Sequence, residues 1–325
     1  MRIALPGLVD LQVNGFGGID FNAPDLRPEQ ALAALARIEA TGVTRCLPTL
    51  ITSSLDAFAR NARILTGLNS ATVAGLHMEG PYLSPEDGPR GAHTREHVIA
   101  ASVDDFKRRH DAADGRIVLV TLAPEVSGAL ALIEHLVATN VIVAIGHSAA
   151  SPEQIRDAVS AGARLSTHLG NGCAQILPRH PNIIWEQLAN DGLVASLIVD
   201  GHHLPAATVK SMVRAKGTTR IILVTDAISA AAAAPGRYTI GTVSCELDGE
   251  GRVSLPGTPY LAGSALTMPQ AIGNTVRSCG LPLEEVVPMA SAIPASLIRV
   301  TGTGSVDADW DAEACELRIL QVRTA

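Results

Sequence analysis

Val141-Ile142-Val143-Ala144-Ile145-Gly146-His147-Ser148, residues 141–148, sets five apolar residues in a row and ends them on a glycine and a histidine. A run this short, apolar on both faces and β-branched, reads as a strand buried in a parallel sheet. Its polar end reads as a rim that faces solvent. Seven more stretches have the same form: Leu8–Val13, Arg45–Ile51, Val73–Met78, Ile117–Leu122, Leu165–Thr167, Val194–Val199 and Arg220–Thr225. At or just past their ends stand Gln12 and Asn14, Thr49, Glu79, Glu125, His168, Asp200 with His202 and His203, and Asp226. Helical patterns separate most of the runs. The fold class expected is α/β, a (β/α)8 TIM-like barrel whose reactive groups gather on the C-terminal rim of the strands.

Pro28–Thr41 is predicted helical, with Leu32, Leu35 and Ile38 on one face and Gly42 as its stop. A helix follows near Ser54–Leu68, capped by Ser53 or Ser54, and another over Pro152–Ala161, capped by Ser151 with Gln154 placed for a capping box. Pro205–Lys216, Met268–Cys279 and Leu283–Ala292 read as helices too. The long loop Gly80–Arg95 is rich in Pro and Gly. Tyr238–Leu255 alternates around Asp248-Gly249 and Glu250-Gly251, which reads as a β-hairpin inserted at about 238–255. The tail, with strand-like Leu317–Val322 after an acidic stretch, is surplus to a barrel. Residues 7–300 are therefore assigned to the barrel, and 1–6 with 301–325 to the remnant of a small β domain.

The chain has 325 residues, formal charge −7 and no basic run, which argues against nucleic acid or an anionic membrane as partner. Five cysteines without a CxxC make a reducing, cytoplasmic setting the simplest reading. No apolar stretch is long enough to span a bilayer.

The chemistry lies in Glu79, His147, His168 and Asp226, at the ends of the third, fifth, sixth and eighth runs. Strand ends converge in a barrel. Two imidazoles and a carboxylate then make a three-ligand site with an open position, and a late Asp can move a proton. Taken singly, a histidine at a strand end is more often a structural hydrogen-bonder, and an Asp after Val-Thr is as readily a helix cap. The combination points to metal-assisted hydrolysis.

His77-Met78-Glu79-Gly80-Pro81, Leu122-Ala123-Pro124-Glu125, Gly146-His147-Ser148, Thr167-His168-Leu169-Gly170-Asn171, Asp200-Gly201-His202-His203 and Val224-Thr225-Asp226-Ala227 occur in order along the chain. Together they resemble the amidohydrolase superfamily, and within it the N-acetylglucosamine-6-phosphate deacetylase family. The resemblance implies removal of an acetyl group from an amino-sugar phosphate. Glu79, His147 and His168 would bind one divalent metal ion per chain, zinc the first candidate and Fe2+ another, and Asp226 would be the general acid/base. Gln12 and Asn14 stand where much of the superfamily has an HxH pair for a second metal.

The resemblance also places Ala92 and His93, Asn171 and Gly172, His203, and Leu261-Ala262-Gly263 on the substrate. Arg179 would reach the phosphate of a neighbouring subunit, which implies a homodimer. Three departures surround the substrate rather than the metal: Asn171-Gly172-Cys173, the Ala-rich Ile228–Pro235, and His180 with Asn182 around the Arg. They leave open a different N-acetylated sugar, phosphorylated or not. A catalytically weak, ligand-binding relative is the other alternative, though all four metal and base positions are intact. The first run begins almost at the N-terminus, so the β module, a sandwich in the family, is expected to be incomplete, with a strand edge or apolar surface in need of cover.

Overall fold

The computed structural model describes residues 1–258 and 260–324; Ala325, the last residue of the expected β remnant, lies outside them. Eight parallel strands follow one another around a barrel. Barrel strands 1 to 8 are Leu8–Val13, Val43–Ile51, Leu76–Glu79, Ile117–Leu122, Ile142–Ile145, Leu165–Ser166, Val194–Leu197 and Ile221–Leu223. A parallel bridge between Val13 and Ala227 joins strand 1 to the chain just past strand 8 and closes the ring. The Asn14 N–H donates to the Ala227 carbonyl at 2.7 Å, and the Asp226 N–H to the Gln12 carbonyl at 3.0 Å. Inside the same seam the Thr225 hydroxyl donates to Asp10 at 2.6 Å. All nine residues of strand 2 are buried, as a strand covered on both faces requires.

Each strand hands over to a helix that packs outside the ring: Pro28–Ala40, Leu55–Thr66, Val103–Ala112, Ala129–Ala138, Pro152–Ser160, Ile183–Ala189, Ala206–Lys216 and, after strand 8, Met268–Cys279. Ser54 caps its helix through the Ala57 N–H, and Ser151 forms the expected capping box with Gln154. In the first helix the inner face is Ala31, Ala34, Leu35 and Ile38, while Leu32 is 43% exposed. The small alanines let the helix lie close to the strands, so a face counted from leucines alone is turned by one position. The stretch 283–292 is not one helix. Leu283–Val286 passes into a 3-10 turn over Val287–Ala290 at Pro288, and a new helix covers Ala292–Leu297. Proline lacks the N–H that a continuous helix needs there.

Two antiparallel sheets flank the barrel. In one, Arg2–Pro6 pairs with Ser305–Asp311, which pairs with Glu316–Arg323. The acidic stretch is therefore largely strand: Val306, Ala308 and Trp310 alternate inward while Asp307 and Asp309 pair with Arg323 and Arg318 on the other face. The other sheet corrects the hairpin expected at about 238–255. It has three strands, Gly236–Ile240, Val243–Leu247 and Val253–Ser254, with a first turn at Gly241-Thr242 and a second at 248–252. Asp-Gly marked only the second turn. The first uses Gly241 at φ 59°, whose N–H is held by Asp20 at 2.7 Å. Ile228, Ala230, Ile240, Cys245, Leu247, Val253 and Ala262 form a small separate core beneath this sheet.

Candidate active site

Glu79 is the last residue of strand 3, and His147 and His168 each follow two residues after strands 5 and 6. The His147 Nε2 lies 3.2 Å from Glu79 Oε1, the His168 Nε2 3.1 Å from the same oxygen, and the two Nε2 atoms are 3.1 Å apart. All three residues are buried. Among the described residues they are the group whose donor atoms are close enough to share a cation.

The donor chemistry fits an ion. His147 Nδ1 sits 2.9 Å from the Pro89 carbonyl, which only accepts, so Nδ1 carries the proton. Nε2 is then the ring atom left to bind an ion, and it faces a carboxylate oxygen and a second imidazole. Three donors facing one another in this way call for a positive centre between them. Bonds of about 2.0–2.1 Å in tetrahedral array would put neighbouring ligand atoms roughly 3.3 Å apart, close to the spacing seen.

Electrostatics agree. Burial works to raise the Glu79 pKa, but the imidazoles of His147 and His168 beside it hold the carboxyl well below the usual range. His93, delivered by the loop after strand 3, stands 3.2 Å from His147 Nε2 with its Nδ1 against the Thr52 hydroxyl. Burial, reinforced by His147, pushes its pKa down to about 3, so it is neutral.

Asp226 follows strand 8 and faces the cluster. Burial, then the charge of Glu79, lift its carboxyl to about 7. Asn14 donates its amide N–H to Asp226 Oδ1 at 2.7 Å, and Gln12 donates to Glu79 Oε1 at 2.9 Å. The two strand-1 amides thus hold the two carboxylates. Among the described residues, three of the eight non-glycine residues with positive φ are His147 (50°), His168 (29°) and Asp226 (49°). Such conformations cost about 1–3 kcal/mol each and collect where geometry matters more than stability.

The remaining expected residues are not all drawn to this point. The Asn171 amide turns back to the His168 carbonyl at 3.1 Å. Gly172, at φ 57°, presses its backbone on the His147 ring: a Cβ there would stand 2.9 Å from Nδ1. Gly91 flanks the same ring, its notional Cβ 3.1 Å from Cε1. His203 Nδ1 is tied to Asp200 at 2.6 Å, and Asp200 also caps the His202 and His203 N–H groups. His202 lies half-buried, its Nε2 3.3 Å from the Glu250 carbonyl. Ala92 and Ala262 pack on the small core under the inserted sheet, and Leu261 pairs with Ser254. Gly263 has no room for a side chain beside Ile228. Arg179 is exposed on the loop that runs to Asn182.

Sequence reading missed the supports. Ser264 donates its N–H to the Asp226 carbonyl at 2.9 Å and its hydroxyl to the Thr225 carbonyl. His77, in the same motif as Glu79, is no ligand: it spans the barrel interior between Thr49 and Thr121, and burial lowers its pKa to about 4. Period-two alternation was the available signal, since it puts His77 and Glu79 on one face with His77 a layer deeper.

The amidohydrolase family model matches residues 3–315. The chain belongs to the amidohydrolase family. Within it the chain is 33% identical over 320 residues to the N-acetylglucosamine-6-phosphate deacetylase of Lysinibacillus sphaericus, covering 96% of this chain and 81% of that one. It is 35% identical over 309 residues to the N-acetylgalactosamine-6-phosphate deacetylase of Escherichia coli, covering 93% and 79%. Among solved structures, an N-acetyl-D-glucosamine-6-phosphate deacetylase from Mycobacterium smegmatis in complex with N-acetyl-D-glucosamine-6-phosphate superposes with a TM-score of 0.91. The two are 29% identical, over 99% of this chain and 86% of that one. No helix among the described residues is long and apolar enough to cross a membrane.

Proposed function

We propose that this amidohydrolase removes the acetyl group from N-acetylglucosamine 6-phosphate, giving glucosamine 6-phosphate and acetate. The observation that carries the reading is the Glu79–His147–His168 cluster with the Asp226 carboxyl facing it. Glu79, His147 and His168 would hold one divalent ion, and three N/O ligands make zinc the first choice. Such an ion supplies a Lewis acid that makes a water acidic near neutral pH and polarises an amide carbonyl.

The chain's own groups do the rest. With Oδ1 of Asp226 engaged by Asn14, Oδ2 is left to take the proton of the attacking water. The same carboxyl then delivers that proton to the departing nitrogen as the C–N bond breaks. Neutral His93, anchored at Nδ1 by Thr52, is placed to donate from Nε2 to the carbonyl oxygen as it gains charge. Ala92, Asn171, Gly172, His203 and the 261–263 segment would line the sugar. Arg179 would reach the phosphate bound by a second copy in a homodimer, which accounts for an arginine held out on an exposed loop. We read residues 7–300 as the barrel unit, 1–6 with 301–325 as its appendage, and the cytoplasm as its place of work.

A second reading, the galactosamine epimer, is favoured by the 35% identity to a deacetylase of that sugar phosphate. Acetate release should be measured side by side on both N-acetylhexosamines, with and without the 6-phosphate. Turnover confined to the unphosphorylated sugars would sink the phosphate reading, and faster release from the galactosamine compound would exchange the first reading for the second.

A further inference from the structure

Glu125 closes the Leu122-Ala123-Pro124-Glu125 stretch beyond strand 4, and no step of the reaction above uses it. Its carboxylate is nonetheless committed. Oε2 accepts from the Ser148 hydroxyl at 2.7 Å and Oε1 from the Ala149 N–H at 2.6 Å. These are the two residues that follow His147, whose own backbone sits in the left-handed region at φ 50°.

The turn is a meeting point of loops. The His147 carbonyl accepts from the Ser84 N–H at 3.0 Å, and the Ser148 N–H donates to the Gly172 carbonyl at 3.1 Å. The ring lies between the backbones of Gly91 and Gly172, with Nδ1 on the Pro89 carbonyl. Loops after strands 3 and 6 therefore touch His147 itself or its neighbour through backbone. Glu125 is the side chain that ties the residues beyond His147 to the loop after strand 4. A non-glycine residue at positive φ relaxes unless its surroundings hold it there, and a histidine that relaxes swings its Nε2 out of the ligand triangle.

We propose that Glu125 is a positioning residue for His147, a carboxylate clamp that holds the strained turn so that Nε2 stays on the cation. The proposal rests on reading Glu79, His147 and His168 as a metal centre. Partners bonded directly to a metal ligand are worth about 10–100-fold in metal affinity, and Glu125 reaches its ligand one step further out, through Ser148 and Ala149.

The test uses the full-length protein, stripped and reloaded with Zn2+ or Co2+. Affinity is read by competition with a chromophoric chelator, and ligand geometry by the visible absorption of the Co2+ form. Glu125→Ala should bind Zn2+ about 10–100-fold more weakly and alter the Co2+ spectrum. Glu125→Gln, which can accept from the Ala149 N–H and donate to Ser148 Oγ, should restore both. Ser148→Ala removes one of the two contacts. It should weaken Zn2+ in the same direction but less, and it serves if Glu125→Ala does not fold. A Glu125→Ala or Ser148→Ala protein with parental affinity and spectrum, whatever its melting temperature, overturns the proposal. So does a Glu125→Gln protein as weak as the alanine variant, since the two contacts would then not be what acts. A parent protein that takes up no divalent ion removes the metal reading first, and that result is visible before any variant is made.

Discussion

At the residue scale the proposed roles divide between groups that hold and a group that moves a proton. Asp226→Asn keeps the shape of the carboxyl and leaves Glu79, His147 and His168 untouched. It should therefore retain the ion while losing at least about 10²-fold in kcat, the usual worth of a positioned acid/base. Metal content together with acetate release checks this, and near-parental turnover would remove Asp226 from the mechanism. Gln12 and Asn14 give a second expectation. Both amides point N–H groups at carboxylates, so neither offers an oxygen on that side to a second cation. Elemental analysis should find close to one divalent ion per chain, and two tightly held ions would show that the amides turn over to act as ligands.

Much of this site is legible in sequence because strand ends in a barrel converge, so Glu79, His147, His168 and Asp226 can be placed without coordinates. What holds them is not legible. The acceptor that fixes the His147 tautomer is a backbone carbonyl, at Pro89, and any residue type there would supply one. The room that lets Gly91 and Gly172 close on the ring is a property of two distant loops, visible only once they are folded.

At the scale of elements, the seam between strands 1 and 8 carries a buried carboxyl. Asp10 sits under Thr225, and burial lifts its carboxyl to about 7 against three hydrogen bonds that pull it down. The folded state thus binds a proton that the unfolded chain, with an ordinary Asp near 3.9, gives up. The stability from Asp10 is fully present below about pH 4 and is lost as pH rises to about 7, a change on the order of 4 kcal/mol. Asp10→Asn cannot ionise; its Oδ1 can keep the Gln12 and Thr225 N–H groups, and its amide N–H can donate to the Thr225 oxygen once that hydroxyl turns to the Gln12 carbonyl 3.3 Å away. Relative to the parent, the variant should gain stability between pH 5 and pH 8, read as urea midpoints at both. Asp20, also lifted to about 7, is common to both proteins and cancels, while Asp226, whose carboxyl the Asp10 charge helps to raise, is lowered in the variant and adds to the same gain. A constant difference across that range would mean Asp10 is already charged in the fold.

Element boundaries tell the same story of local signal against packing. The eight strands and the Ser54 and Ser151 caps follow from local pattern. The turn at Gly241-Thr242 does not, because its partner Asp20 is 221 residues away. The strand within the acidic tail was masked by charges that alternate with Val306, Ala308 and Trp310. Leu283–Ala292 failed for the opposite reason: its apolar period was right, and Pro288 broke it.

At the scale of the whole molecule, the loop from Cys173 to Asn182 with the first turn of the helix after it is a part whose surface does not suit a lone barrel. Ile176 is 90% exposed and Trp185 55%, next to an exposed Arg179. Large apolar side chains beside a free guanidinium are what an interface between copies would bury. Under the proposed function that guanidinium meets the phosphate bidentately in the neighbouring site. Arg179→Ala should then raise KM for the phosphorylated sugar and leave activity on the unphosphorylated sugar little changed, because Arg179 is not among the groups that meet at the ion. Sedimentation should show a dimer. Mixed with Asp226→Asn chains, the Arg179→Ala chains should regain affinity, since each hybrid pairs one intact proton carrier with the arginine of its partner. Regain in the hybrid separates an arginine that acts across the interface from one that acts within its own chain, where mixing restores nothing. Equal loss on both sugars, or full activity in a strict monomer, would take Arg179 off the phosphate and leave the exposed loop without its proposed task.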